Sequence, residues 1–487
     1  MQRKAFYCLQ TLILSAFAAA STNAGGASQA CNLLKQALPG SVFFPGSTTY
    51  AQDIAHFEFS SSQNATCSVE PASVKDVSTI LQIVGRADIR SPFAIVAGGH
   101  ATNRGFSSTT GVQVSLTKFR NTTYDAKSQT VTLQPGKTWD QIYEDLEPFN
   151  VTVAGGRVAG VGVGLALGGG YSWVTDQVGL SIDNILAFDL VLPNGTFVQV
   201  RNDNYPELFF GLKGGLNNFG IVTSLTFKAV QLGKIWAGVI NYDASQADSV
   251  AQAVSNFSLQ NTDEKAQMAA AYVNSGGSDI WQVIMFYAEP QQPSVFQPFL
   301  DIPNIGADVS VRSFSNFLQA INVVQTDAFS RGISHMLPVI KYTPKIVAAI
   351  QQEVDAAYAK AVADGKSITS SLLGIEPFYG AFNHSTSPSA YPHDPSRPVT
   401  PCNPWLTYSS PDDDDYFNKA LWDLANKVQA VAVEEGQSRW DDIRYPNYVL
   451  GNTPLQLLYG DNLPKLRAIK RAVDPKNVMG LAGGFKF

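Results

Sequence analysis

Between Ala154 and Trp173 the chain sets eight glycines among alanine, valine and leucine: Ala-Gly-Gly-Arg-Val-Ala-Gly-Val-Gly-Val-Gly-Leu-Ala-Leu-Gly-Gly-Gly-Tyr-Ser-Trp. Few folds accommodate such a ladder. A dinucleotide loop of the βαβ kind is one candidate. It fails on spacing, because Gly162-X-Gly164 is followed by Leu167 where glycine or alanine is needed, and the flanking helix signal is poor. A seam between transmembrane helices fails because the run is too short to span. Two readings remain. One is an irregular segment packed through its backbone against something flat and broad; the other is a flexible surface loop. The stretch is too apolar for disorder, and long irregular segments inside domains are commonly functional.

A second glycine corner lies upstream. The apolar run Phe93 to Val96 leads into Ala97-Gly98-Gly99-His100. Glycines after a strand let several backbone N–H groups point into one concavity, where a pyrophosphate is the usual guest. The functional reading is a dinucleotide loop with a reactive imidazole at its lip. The plain reading is a strand-to-turn corner with a surface histidine.

The chain of 487 residues has room for two or three domains. Arg3 and Lys4, the apolar stretch Leu12 to Ala20 and the small-residue sites at Ala18–Ala20 and Thr22–Ala24 read as a signal peptide over 1–24. The run falls short of the ~20 residues of a membrane anchor. Removing 1–24 takes the formal net charge from −6 to −8, which argues against nucleic acid as a partner. Cys8 leaves with the signal. Of Cys31, Cys67 and Cys402, the expectation is a Cys31–Cys67 disulfide tying an N-terminal arm to the first domain, with Cys402 free and buried. Sequons at Asn64, Asn121, Asn150, Asn194, Asn256 and Asn383 fit a secreted, extracellular glycoprotein.

In order, 72–87 reads as a helix with Val74, Val77, Ile80, Leu81 and Val84 on one face. The segments 111–116, 130–136, 185–192, 196–200 and 222–227 read as strands, and 138–146 as a short helix. Beyond 235, strands at 236–242, 269–273 and 282–288 alternate with helices, including one capped by Thr343-Pro344. Asp412 to Asp415 read as a solvated helix N-terminus rather than a metal site. Residues 367–379 read as a strand that offers Glu376 and Tyr379 to a pocket. His384 and His393 read as surface histidines. No His, Cys or Glu cluster has metal-ligand spacing, so no metal is expected.

The order of four pieces resembles the flavin-binding domain of the vanillyl-alcohol oxidase/para-cresol methylhydroxylase superfamily. They are Gly98-Gly99-His100, the ladder, Gly179-Leu-Ser-Ile-Asp-Asn184 and Lys213-Gly-Gly-Leu-Asn-Asn-Phe-Gly-Ile-Val222. Tyr445-Pro-Asn447-Tyr448 in the tail is similar to the signature of the berberine-bridge-enzyme-like branch. The resemblance implies an α+β fold: a two-part FAD-binding domain of the para-cresol methylhydroxylase type, and a substrate domain with an antiparallel sheet backed by helices. The implied divisions are an arm at 25–66, the FAD-binding domain at 67–234, the substrate domain at 235–440 and a C-terminal segment at 441–487 that returns to the flavin.

It also implies FAD bonded covalently to His100. Carried over position by position, flavin contacts fall on Val96, Ala97, Gly98, Gly99, Ala101, Gly105, Phe106, Gly156, Val158, Val161, Gly162, Gly164, Leu165, Gly169, Tyr171, Asp183, Ile221, Val222 and Asn447. Val158 stands where some relatives carry a second, cysteinyl link, so a single link is expected. Val161 stands at the proposed oxygen-gate position and points to an oxidase. The implied reaction is hydride transfer from a hydroxyl-bearing carbon to flavin N5, with reoxidation by O2 to hydrogen peroxide. Tyr448 is the first candidate for the base, with Glu376 and Tyr445 beside it. A phenol with pKa near ~10 needs a partner to serve near neutral pH. The substrate is a small secondary metabolite or a carbohydrate, for which Trp281, Trp405 and Trp440 are candidate platforms. The protein is expected to be a monomer with no membrane partner. The alternatives are a flavin-containing cyclase or dehydrogenase that makes no use of O2, and a non-catalytic secreted glycoprotein.

Overall fold

The computed structural model describes residues 25–321, 331–385 and 387–487; the expected signal peptide lies outside them. Residues 25–37 are helical, and Cys31 on this helix is bonded to Cys67 at the start of the first parallel strand. Strands β1 (Val42–Phe43), β2 (Cys67–Val69), β3 (Phe93–Val96) and β4 (Val112–Ser115) form a sheet of order β1-β2-β4-β3. Strands β2, β4 and β3 run parallel. Their side chains are almost all buried, as expected of parallel strands covered on both faces. The helix Val74–Val84 makes the crossover. Ser73 and Asp76 close a capping box at its start, and Val77, Ile80, Leu81 and Val84 are its buried face.

The second sheet is antiparallel. It is built from β5 (Thr122–Asp125) and β6 (Thr130–Leu133), then β8 (Ile185–Val191), β9 (Phe197–Val200) and β10 (Ile221–Lys228), in the order β5-β6-β10-β8-β9. A short pair, β7 (Val151–Thr152) with β11 (Val230–Gln231), brackets the stretch that carries the glycine ladder. A helix at Pro206–Leu212 was not anticipated in the sequence; proline at its first turn was the available signal.

The third sheet holds β12 (Ile235–Asp243), β13 (Ala266–Ser275), β14 (Ser278–Tyr287), β15 (Gly306–Arg312), β16 (Arg331–Ser334), β17 (Leu337–Val339), β18 (Ile368–Ile375) and β19 (Thr400–Tyr408). Its order is β15-β12-β14-β13-β18-β19-β16, with β17 also on β19, and every pairing is antiparallel. The period of two along β12 assigns its faces. Trp236, Ile240 and Tyr242 join the core under the helices Ala247–Gln260, Pro344–Ala363 and Asp414–Glu434. Ala237 and Val239 join the core shared with the ladder. One face of this sheet is thus backed by helices and the other looks toward the glycine-rich half. Among the described residues no helix is long and apolar enough to cross a membrane.

Three expectations are corrected. Strand β18 stops at Ile375, so Glu376 and Tyr379 sit just past its end, where the backbone leaves the ladder of the sheet. Asp413 and Asp414 are not a solvated cluster. Asp413 accepts from Lys366 Nζ at 2.9 Å and from Ser367, and Asp414 accepts from Arg331 and from the Tyr408 hydroxyl at 2.7 Å. Trp281 is fully buried among Tyr272, Val283 and Met285 and offers no platform.

Candidate active site

The corner after β3 is shaped by backbone contact. Gly99 adopts φ +69°, a conformation that favours glycine. A Cβ on Gly98 would lie 2.3 Å from the Gly162 nitrogen, and one on Gly162 would lie 2.2 Å from the Gly98 nitrogen. The two glycine-rich segments therefore meet main chain to main chain, and each requires the other to lack a side chain. Around the corner, the N–H groups of Gly98, His100 and Ala101 donate to no backbone acceptor among the described residues.

His100 is partly buried. The Phe57 ring stacks on its imidazole, centroid to centroid 4.4 Å with 17° between planes, and a Cβ on Gly160 would sit 2.9 Å from its Nε2. Phe57 belongs to the N-terminal arm, which its amide pins to the corner by donating to the Gly99 carbonyl at 3.1 Å. Burial pulls the imidazole down to about 4, against the opposing charge of Asp140. The ring is neutral near pH 7, with a lone pair for bonding. Trp405 stands edge-on to Phe57 at 6.4 Å.

Most ladder glycines make room for protein rather than ligand. The flat, broad partner at Gly155 and Gly156 is the Trp139 indole, which a Cβ at either position would approach to 2.2 and 2.4 Å. Trp139 is locked in turn by donating Nε1–H to the Gly162 carbonyl at 3.1 Å. A Cβ at Gly168 would strike the Asn447 carboxamide, one at Gly169 would crowd Tyr445 and Tyr391, and one at Gly170 would strike Ser181. Gly164 differs: it is exposed, with no atom within 4 Å of where a Cβ would be. Val158, Val161 and Leu165 are partly exposed apolar side chains on the same segment.

The C-terminal segment docks onto this ladder. Tyr445-Pro446-Asn447-Tyr448 is a turn, closed by the Tyr448 amide donating to the Tyr445 carbonyl at 3.1 Å, with proline and asparagine at the central positions such turns favour. Asn447 Nδ2 donates to the Leu165 carbonyl at 2.8 Å and to the Tyr445 hydroxyl at 2.7 Å. The Tyr445 hydroxyl also accepts from the Gly170 amide at 3.1 Å. Burial pushes this phenol up to about 12. Tyr445 is a clamp between turn and ladder.

Tyr448 points the other way along the turn. Its hydroxyl donates to Glu376 Oε1 at 3.1 Å and accepts from Arg157 Nη2. Arg157 Nη2 also donates to Glu376 Oε2 at 2.8 Å. Arg157 and Glu376 are 8% and 9% exposed, so this is a buried ion pair. The guanidinium carbon lies 4.7 Å from the Phe378 ring centre, and the Arg157 carbonyl accepts from Trp173 Nε1 at 2.9 Å. Burial pushes the Tyr448 phenol well above its ordinary value; Arg157 draws it back and Glu376 raises it again. Beneath the 376–381 loop lies the buried Asp176, its carboxyl pushed up to about 8 by burial against the opposing Gly380 amide. Its Oδ1 has no partner among the described residues.

Other residues carried over as flavin contacts are engaged with protein groups. The Asp183 carboxylate faces His393 Nε2 at 2.9 Å and accepts from the Leu180 amide at 3.0 Å. His393 is buried at 7% exposure, which corrects its reading as a surface histidine. His384 is partly buried and contacts the Asp176 carbonyl at 2.8 Å. Tyr171, Ile221 and Val222 are core residues, Tyr171 packing edge-on against Tyr445 at 5.0 Å. Val96 and Ala97 lead into the His100 corner and Ala101, Gly105 and Phe106 follow it, with the Phe106 ring edge-on to Phe485 at 4.9 Å. Sequence reasoning passed over Arg157 and Phe57. The signal for Arg157 was its isolation, as the one charged residue between Glu147 and Asp176.

These features fit a flavin dinucleotide. The corner presents amide donors suited to phosphate, the imidazole is neutral, and the Val158–Leu165 segment offers an apolar edge with open space at Gly164. Among the described residues no group of His, Cys, Asp and Glu is arranged to hold a metal ion.

Family models match two parts of the chain: an FAD binding domain over residues 65–201 and a berberine and berberine-like segment over 445–482. Over 480 residues the chain is 31% identical to an FAD-dependent monooxygenase of Aspergillus calidoustus, a match covering 94% of this chain and 90% of that protein. It is 32% identical over 480 residues to an FAD-dependent monooxygenase of Emericella nidulans, covering 94% and 98%. Its fold is similar to that of a xylooligosaccharide oxidase from Myceliophthora thermophila solved with xylobiose, with a TM-score of 0.73 and 21% identity over 92% of this chain and 97% of that one. At that identity the likeness concerns the fold alone.

Proposed function

This chain belongs to the berberine-bridge-enzyme-like family of FAD-linked oxidoreductases, and from that premise we propose that it oxidises a hydroxyl-bearing carbon of a small molecule. Bound FAD supplies the hydride acceptor and a route for the electrons to O2, which leaves as hydrogen peroxide. The side chains do the rest. Tyr448 takes the hydroxyl proton with Glu376 behind it. Asn447 fixes the turn that carries Tyr448 to the ladder. The His100 corner holds the dinucleotide through its amides and tethers it through the imidazole. The observation that carries this reading is the Tyr448–Glu376 hydrogen bond at 3.1 Å, one residue along the turn from Asn447's bond to the ladder.

A single tether through His100 is supported by its neutral, stacked ring and by valine rather than cysteine at 158. Access of O2 to the reduced cofactor is supported by valine, partly exposed, at 161. Trp405 is the one candidate platform beside the His100 corner, while Trp281 is in the core. That supply of aromatic surface suits a compact secondary metabolite better than an extended sugar chain. Secretion is supported by the 1–24 segment, by the disulfide, which persists in oxidising compartments, and by exposed sequon asparagines at 64, 121, 150, 194 and 383, with Asn256 partly exposed.

The test begins with the purified protein. It should be yellow after acid precipitation, and the tryptic fragment containing His100 should carry the added mass of FAD. Peroxide release on panels of phenolic, terpenoid and alkaloid alcohols and of sugars then assigns the substrate. A colourless protein with an unmodified fragment overturns the tether. The names of the relatives favour a second reading, oxygen insertion; under 18O2 it would place label in the product, whereas the oxidase reading leaves the product unlabelled.

A further inference from the structure

We infer that Arg157 is the positioning residue that turns Tyr448 and Glu376 into one proton relay. This rests on the reading of Tyr448 as the base. The guanidinium contacts both oxygen centres through the same nitrogen: Nη2 donates to Glu376 Oε2 at 2.8 Å and to the Tyr448 oxygen. The third side of the triangle is the Tyr448 hydroxyl donating to Glu376 Oε1 at 3.1 Å.

A phenol buried in this way is a poor base by itself. The hydrogen bond to Glu376 supplies an exit for its proton. As the substrate O–H bond breaks and a new O–H bond forms at Tyr448, the original Tyr448 O–H bond breaks and a proton forms an O–H bond at Glu376 Oε1. The substrate's hydride leaves with its two electrons for the flavin, so the carbon is oxidised, the flavin reduced, and the relay is left with one extra proton to return to solvent. Throughout, the cation stays in contact with whichever oxygen carries the negative charge.

The setting of Arg157 supports this role. Burying an ion pair is costly, and an apolar pair of similar volume is often at least as stable. Burial works against the guanidinium charge, and the Glu376 carboxylate beside it acts in the opposite direction, so the group stays protonated. Phe378 and Trp173 face the cation from their rings. The groups that face Tyr448 are Arg157, Glu376 and the Tyr445 ring, 5.0 Å away.

The test is a titration of the flavin-loaded protein carrying 2,3,5-trifluorotyrosine at position 448, whose ring fluorines bring the phenol down into the range where the protein stays folded, followed by fluorine NMR. The Arg157→Gln variant should shift the 448 titration upward by roughly 1–3 pH units, the range for loss of an adjacent opposite charge. Glu376→Gln should shift it downward, because the cation is then unopposed. Arg157→Lys, a point charge without the planar fork, should fall between wild type and Arg157→Gln, and carries the test if the glutamine variant does not fold. A merely structural arginine leaves the rate of flavin reduction by the identified substrate unchanged in the folded variants, whereas the relay predicts that Arg157→Gln slows it and that Arg157→Lys restores part of the loss. Arginine variants that titrate as wild type, or a Glu376→Gln shift in the same direction as Arg157→Gln, would overturn the inference. Tyr448→Phe separates the premise. If it leaves flavin reduction by the identified substrate unchanged, the base assignment fails. If it is slow while the Arg157 variants titrate as wild type, only the relay fails.

Discussion

Tyr448 and Glu376, 72 residues apart in sequence, share a hydrogen bond of 3.1 Å at the point where the C-terminal turn meets the end of β18. Glu376 has already left its strand, while the turn is tied to the ladder through Tyr445 and Asn447. The arginine from the ladder holds them together. The first prediction follows from that geometry. Tyr448→Phe should keep flavin content and fold while slowing flavin reduction by roughly 10²–10⁴-fold, the usual contribution of a positioned acid–base group. Stopped-flow bleaching of the flavin absorbance measures it, and a rate within twofold of wild type would remove Tyr448 from the chemistry.

The meeting of Gly98 with Gly162 and the emptiness around Gly164 give opposite expectations for the same substitution. Gly98→Ala forces a methyl to 2.3 Å from backbone nitrogen and should destabilise by roughly 3 kcal/mol or more. Gly164→Ala should leave apoprotein stability within about 0.5 kcal/mol and instead reduce flavin occupancy. Denaturant unfolding and flavin-to-protein absorbance ratios separate the two. Equal losses of stability would mean that the ladder is uniformly packed, contrary to the contacts described.

Phe57 stacks on the imidazole that we assign to the tether. Phe57→Ala should lower the fraction of flavin that survives acid precipitation, and His100→Ala should abolish it. Mass spectrometry of the His100 peptide is the readout. Full modification in Phe57→Ala would show that the stacking has no part in presenting the ring.

Asp176 makes a prediction about pH. Its carboxyl is held at about 8 in the folded chain, against an ordinary value near 3.8. A raised folded value means that the folded state holds the proton more tightly. Its stabilising effect is full below about 4 and is lost as pH rises toward 8, at about 1.4 kcal/mol per unit. Asp176→Asn cannot titrate. The stability of wild type relative to this variant should therefore fall steadily between pH 5 and 8, with Lys341 and Glu264 as the nearby charges that modulate it. Urea midpoints at several pH values test this, and a flat difference would refute it.

The Cys31–Cys67 bond closes a separation of 36 residues. Replacing both cysteines with serine should cost roughly 3–4 kcal/mol by the chain-entropy estimate, seen as a lowered thermal midpoint. Cys402 is buried and free, so a thiol reagent should label it only on unfolding. Rapid labelling of the native protein would contradict its position.

The sequence made the corner, the ladder and the tail visible because each is a local pattern: a strand into paired glycines, an apolar run broken by glycine, a proline turn between tyrosines. It also suggested that the ladder met something flat. It did not reveal that the flat object was Trp139, since a tryptophan at a helix start has no local mark of its partner. Contacts over long separations were illegible for the same reason. Arg157 reaches Glu376 across 219 residues and Tyr448 across 291, and Asp183 reaches His393 across 210. A histidine in a proline- and serine-rich loop looks solvated until its distant carboxylate is known. The strand read over 367–379 ran too long because its apolar alternation continues past the last ladder hydrogen bond at Ile375.

Asn447 holds on to the Leu165 carbonyl across 282 positions, and this dates the birth of the pocket during biosynthesis. The ribosome can synthesise every strand of the parallel sheet, both disulfide partners and the whole ladder while the tyrosine turn is still unmade. Pocket maturation therefore waits for the tyrosine turn. A nonsense mutation just ahead of codon 445 would release a product that keeps Arg157 and Glu376 but lacks Tyr448, and that also loses Val478, Met479 and Ala482 from the core of the parallel sheet.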